Sequence, residues 1–154
     1  MTRDPAGLLT RIQELEPLCS DPRIRRAVEK GDPFKVYRAI WWARLTGKLV
    51  AHRRTLDLLL AHRRAFAKPL GGKTPMLGTF NGFGATLLGG AEKEPDGTSI
   101  ATHCLVALFV FPVFPLGAYV VSGGERKALS TSWTIFARVP LGAFAWLSRR
   151  AIAL

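Results

Sequence analysis

Apolar residues recur at spacings of three and four through the first part of the chain, which predicts helices there. Asp21-Pro22 and Asp32-Pro33 each place a capping carboxylate before a proline, and the missing proline N–H suits a first helical turn. A helix is expected over 22–30, closed by Gly31. Phe34, Tyr37, Ile40, Trp41 and Leu45 make the apolar stripe of a second helix, ended or kinked at Thr46-Gly47. A third, over 48–66, carries Leu49, Leu56, Leu59, Leu60 and Phe66 on one side. The period then shortens to two. Thr131, Trp133, Ile135, Ala137 and Val139 alternate with Ser132, Thr134, Phe136 and Arg138 as in a strand with unlike faces. Residues 77–88 are rich in Gly, Thr and Phe, and Glu94-Pro-Asp-Gly97 and Ser122-Gly-Gly124 read as turns. Two or three hairpins follow, and 141–154 returns to a helical pattern around Phe144, Leu147 and Ile152.

Between Gly97 and Gly124 the chain has no Asp, Glu, Lys or Arg. Such a run is long enough for a transmembrane helix. Its eleven Leu, Val and Phe residues from 105 to 121 gain about 0.3–0.6 kcal/mol each on insertion, roughly 5 in all. Pro112 and Pro115 oppose this by about 3 kcal/mol each in a helix interior. The competing reading is a pair of buried strands, 100–111 and 116–121, joined by an extended Pro-Val-Phe-Pro corner, because a strand covered on both faces reads as a continuous apolar run.

Composition sharpens the division. The chain has 154 residues with a formal charge of +11 and 48% hydrophobic residues, so it has material for a core and is not a disordered basic tail. Residues 1–73 hold 16 Lys+Arg and 7 Asp+Glu, whereas 74–154 hold 6 and 4. The prolines and glycines of Lys68-Pro-Leu-Gly-Gly-Lys-Thr-Pro75 mark the junction. The expected class is α+β: a basic helical bundle (1–68), a linker (69–75), a small antiparallel β-rich module with a proline-broken hydrophobic segment (76–140) and a C-terminal helix (141–154). Cys19 and Cys104 form no CxxC or zinc spacing, which suits a reducing compartment, and Asp4-Pro5 interrupts any secretory leader.

Three stretches carry a resemblance: Asn81-Gly-Phe-Gly-Ala-Thr-Leu-Leu-Gly89, Pro95-Asp-Gly-Thr-Ser-Ile-Ala-Thr102 and Ala107-Leu-Phe-Val-Phe-Pro-Val-Phe-Pro-Leu-Gly-Ala-Tyr-Val-Val121. Together they resemble an uncharacterised bacterial membrane-associated segment of pattern NGxGxxLYG, PDGSYIAT, LFIPxxPLGxYxV. The likeness spans 79–121 and implies membrane association without an activity. Residues 108–116 are more loosely similar to the FFIPxxPLG segment of bacterial zinc-ribbon membrane proteins, whose paired cysteines this chain lacks.

Chemical motifs are weak. Gly71-Gly-Lys-Thr74 lacks the first glycine of a phosphate loop, with Ala67 in its place, and it does not join a strand to a helix. Asn81-Gly-Phe-Gly84 likewise lacks the third glycine of a dinucleotide fingerprint. Ala51-His-Arg-Arg54 recurs as Ala61-His-Arg-Arg64, but on one helix the two histidines stand about 15 Å apart, too far to share a metal. Asp57 is within local reach of Arg53 or Arg54. His103 has no triad partner at a suggestive spacing and reads as a hydrogen-bonded core residue.

No catalytic residues, metal ligands or cofactor emerge. The expectation is a non-enzymatic, membrane-associated adaptor, anchor or complex subunit on the cytoplasmic face of the bacterial inner membrane. Phe109, Phe111, Phe114, Leu116, Trp133 and Trp146 are its membrane-contacting candidates. Arg53, Arg54, Arg63 and Arg64 would face anionic lipid, with lipid or a membrane protein as partner. The alternative is a soluble nucleic-acid-binding module in which the same arginines meet phosphates.

Overall fold

The computed structural model describes residues 5–72, 74–81, 83–108, 111–127 and 130–142. It divides into two compact units, 1–67 and 68–154.

The first unit is helical: α1 (Pro5–Arg11), α2 (Pro22–Glu29), α3 (Pro33–Leu45) and α4 (Arg53–Ala61), with short 3-10 turns between and after them. Both predicted caps form. The Asp21 carboxylate accepts from the N–H groups of Arg23 (2.8 Å) and Ile24 (3.2 Å), and Asp32 accepts from Phe34 (3.0 Å) and Lys35 (3.4 Å). Gly31, at φ +59°, closes α2 with its N–H on the Val28 carbonyl. Asp21 is itself buried, with Lys48 Nζ 3.8 Å from its second oxygen.

The core gathers Leu8, Ile12, Leu15, Leu18, Ile24, Val36, Ile40, Leu56 and Phe66. Helix α3 contacts both α2 and α4, so its buried face is wider than the predicted stripe and rotated from it. Val36, Tyr37, Ala39, Ile40 and Ala43 are buried, while Leu45 is 61% exposed and Phe34 and Trp41 are half-buried. Ala39 and Ala43 count weakly in a hydrophobic pattern, yet small residues suit the close approach of two neighbouring helices. Tyr37 donates to the Leu60 carbonyl (3.0 Å) and meets Phe66 edge-on.

The single helix expected over 48–66 is instead broken twice. Leu49 adopts φ +56° before a 3-10 turn at Val50–His52, and α4 ends at Ala61. At that end the His62 N–H and ring Nδ1 both reach the carbonyl of Leu58, and a second 3-10 turn follows at Arg63–Phe66.

The second unit is one antiparallel sheet in the order β1-β6-β5-β4-β3-β2. Its strands are β1 (Lys68–Pro69), β2 (Gly78–Phe80), β3 (Phe83–Ala91), β4 (Ser99–Ala107), β5 (Phe111–Lys127) and β6 (Ser130–Val139). The uncharged run 97–124 therefore forms β4 and most of β5, and no described helix is long and apolar enough to cross a membrane. The strand reading holds, with a shifted corner. The turn lies between Ala107 and Phe111, where Leu108 takes φ +50°, and both prolines are inside β5. They are accommodated because β5 pairs with β6 only from Ala118 onward, so Pro112 and Pro115 lie where β4 is the one paired neighbour and a missing N–H costs no second ladder bond. Leu116 and Val113 are the extra residues of two bulges beside them.

Other boundaries also move. Lys68-Pro69, the start of the expected linker region, pairs with Arg138 and Ala137 as an edge strand. Ser122-Gly-Gly124 is no turn but a bulge within β5, where Gly123 pairs with Trp133 and Glu125 with Ser132. Glu94–Gly97 does turn: Glu94 N–H donates to the Thr98 carbonyl, and Asp96 accepts from the Thr98 N–H and hydroxyl. The expected C-terminal helix lies outside the described residues from 143 on.

Both faces of the sheet are buried at its centre. One face holds Leu87, Ala101, Tyr119 and Val121, with Leu70, Trp133 and Ile135 packed on them. The other holds Ile100, Cys104, Val106, Ala118 and Val139.

Two substitutions test this architecture. Asp21→Ala removes a buried cap and should cost about 1–2 kcal/mol, read from chemical denaturation of the helical signal. Gly123 has φ +97°, and a Cβ there would lie 2.9 Å from the Ser132 carbonyl oxygen. Gly123→Ala should therefore destabilise the sheet by about 1–3 kcal/mol, measured by the same method on its strand signal.

Candidate functional site

The strand order puts β1 and β2, consecutive in sequence, on opposite edges of the sheet. Five strand spacings separate them, about 24 Å in a flat sheet. The eight residues 70–77 reach at most about 26–29 Å when fully extended, and Gly71 and Gly72, both at positive φ, spend part of that reach in a turn. The connection must therefore cross the sheet as a taut strap. Five register shifts among the described residues help, since each bulge bends its strand and increases twist, drawing the edges together.

The strap runs over one identifiable face. Leu70 packs on the Leu87–Tyr119 cluster at one side, and near the other the Met76 carbonyl oxygen lies 3.2 Å from His103 Nε2. His103 is buried, opposite Leu87 on β3 and Gly117 on β5. The ring of Tyr119 lies over Gly117 and meets His103 edge-on at 6.1 Å. A carbonyl only accepts, so the neutral ring carries its proton on Nε2 and donates it to Met76. Burial lowers the His103 pKa below its ordinary 6.5, and the Met76 bond opposes that shift. Its role is to hold the strap, the structural part the sequence suggested. Cys104, next along β4, faces the other side, and burial raises its thiol pKa.

Beyond His103 the same face is uncovered. Register places the β2–β3 and β4–β5 turns at one end of the sheet: Phe80 pairs with Phe83, Ala85 with Leu105, and Leu105 with Phe114. Here Phe80 is 81% exposed, Phe83 61%, Leu108 65% and Leu105 42%, with Val113 and Met76 exposed beside them. No charged residue occurs in 74–91 or 97–124, the stretches that build this end. The charges of the return turns gather at the opposite end, with Glu92, Lys93, Glu94 and Asp96 between β3 and β4, and Glu125, Arg126 and Lys127 at the end of β5, while Lys68 and Arg138 pair across β1 and β6 at the level of Tyr119.

The predicted contacts distribute unevenly. Phe114 and Leu116 are half-buried on β5, and Phe111 opens that strand opposite Ala107. Trp133 packs against the core cluster. Phe109 and Trp146 lie outside the described residues. Phe80, Phe83, Leu105, Leu108 and Val113 were not singled out by the sequence reading. The available signal was the second uncharged run, 74–91, in which two phenylalanines flank Asn81-Gly82.

The four arginines do not share one helix. Arg53 and Arg54 are exposed in the first turn of α4, whereas Arg63 and Arg64 are half-buried in the 3-10 turn after it. Cations in a first helical turn oppose the helix dipole, so Arg53 and Arg54 do not serve α4 stability. Asp57 pairs with Arg44 of α3, a tertiary link in place of the local pair with Arg53 or Arg54. Among the described residues no three His, Cys, Asp or Glu gather as a metal site.

Compared with known proteins, the chain matches no family model, no curated protein and no solved structure.

The depressed His103 pKa fixes the sign of a pH effect. Above pH 6.5 the imidazole is neutral folded or unfolded, and the sheet has its full stability. As pH falls through 6.5 toward the lower folded value, the unfolded chain takes up a proton that the folded one resists, and stability is lost. Thermal unfolding of the strand signal should move to lower temperature between pH 7 and pH 5. His103→Gln, which keeps a donor for Met76 without titrating, should flatten that slope.

Proposed function

We propose that this chain is a non-enzymatic, membrane-associated adaptor, anchor or complex subunit. Its basic helical unit faces an anionic leaflet, and its sheet unit supplies the apolar contact. One observation carries the reading: large apolar side chains stand exposed on a stretch of sheet built from two uncharged runs, in a chain of formal charge +11. An exposed apolar patch of this kind is the mark of a surface that is covered in use.

Electrostatics supports lipid as the cover. Residues 1–67 contain 14 Lys+Arg and 7 Asp+Glu. Three of those acids are engaged within the fold: Asp21 and Asp32 cap helices, and Asp57 holds Arg44. Two of them are matched by cations, Asp57 by Arg44 and Asp21 by Lys48, so the unit keeps its excess of seven basic residues. Each Lys or Arg near an anionic leaflet adds about 1 kcal/mol, an attraction that salt weakens, whereas apolar burial persists in salt. The cytoplasmic leaflet of a bacterial inner membrane has the matching charge.

The test is flotation of the purified chain with neutral and anionic liposomes. Recovery with anionic vesicles at low salt, falling but not vanishing at high salt, is the expected result. A monodisperse protein left at the bottom of every gradient would refute membrane association.

A further inference from the structure

We infer that the sheet meets the bilayer end-on, through the β2–β3 and β4–β5 hairpin ends, with its strands steep to the membrane surface and the charged turns held in water. This rests on the membrane reading above and specifies which part of the sheet enters lipid.

Three features select this end. First, polarity runs along the strands. Phe80, Phe83, Leu105 and Leu108 occupy one end, the charged return turns 92–96 and 125–127 occupy the other, and Lys68 and Arg138 lie between, at the level of Tyr119. A sheet lying flat would bring the charged end down with the apolar one, and burying those charges in lipid is costly. Second, the exposed residues gather at the two hairpin ends, Phe80 and Phe83 flanking one turn and Leu105 and Leu108 standing at the other. Third, the depth is suitable. From the turns to the Ala85–Leu105 pair is two to three residues, roughly 7–10 Å at about 3.3 Å per residue. Interfacial apolar elements bury about 5–10 Å into the headgroup and acyl boundary. Just behind this level, His103 and the strap close the face.

Backbone chemistry agrees with shallow entry. Strand pairs Phe80–Phe83 and Ala107–Phe111 flank the two turns, so the backbone groups between the paired strands of each hairpin are already bonded where they meet lipid. Full crossing would carry the whole unpaired edges of β3 and β5 into hydrocarbon, which an open sheet cannot sustain.

The experiment uses the full chain and vesicles of phosphatidylcholine with or without phosphatidylglycerol. Phe80→Asp/Phe83→Asp and Leu108→Asp are compared by flotation with Phe136→Asp, which alters an exposed aromatic in mid-strand on β6. The hairpin-end variants should lose binding by at least about tenfold, and the Phe136 variant should bind like the wild type. Hydrogen exchange of the unmodified protein provides the second measurement, free of any folding defect in a variant. Vesicles should slow exchange around 78–85 and 105–113 and leave 92–98 unchanged. Equal flotation of all variants, or protection at 92–98, would overturn the end-on geometry while leaving membrane association intact. A wild type that does not float overturns both.

Discussion

The second unit depends on a constraint of length. Its strand order separates β1 from β2 by the full width of the sheet, and only eight residues connect them. That connection has no slack for a route around the sheet, so it lies across one face and becomes the cover of that face. Leu70 contributes apolar packing and the Met76 carbonyl is held by His103. The bulges that bend the strands are part of the same solution, because they draw the edges together for a strap that gives up part of its reach to the turn at Gly71-Gly72. A histidine within an uncharged run, which in isolation invites a catalytic reading, is explained by the need to fasten a backbone carbonyl.

The strap also defines what stays open. It covers the sheet near Ala101, Tyr119 and His103 and leaves Leu105, Phe83 and Phe80 exposed beyond. The apolar end is thus continuous with the core face and is distinguished from it by the absence of cover. In an antiparallel meander alternate turns fall at opposite ends, so distributing charge by turn polarises the whole unit along its strands. Two hairpins with uncharged outward turns and charged return turns are sufficient to make an object with one apolar end and one hydrated end.

In the helical unit, caps and ion pairs leave the net positive charge intact, because Asp57 is matched by Arg44 and Asp21 by Lys48. Three acids are taken up by caps and an inter-helix pair, while Arg53 and Arg54 stand where the dipole disfavours them. A positive surface is maintained there against local helix energetics.

Local chemistry alone determined a good part of this protein. The Asp-Pro caps, Gly31, the Glu94–Gly97 turn, the helix-to-strand change and the double-sided burial of β4 were all legible, because each depends on residues near in sequence. The buried face of α3 differs from the expected stripe, since it is chosen by the helices that pack on it, and the 48–66 segment breaks at Leu49, in the left-handed region, and after Ala61, which apolar spacing does not display. The prolines of β5 looked like a corner because no sequence pattern reveals where β6 stops pairing. The exposed end was hidden for the same reason: Phe80 and Leu105 lie 25 positions apart, and only strand register brings them to one end. Sequence set the apolar content of the two runs and the sites of tight turns, whereas the tertiary structure decided which apolar side chains would be covered, because coverage depends on the path of a strap whose neighbours are remote along the chain.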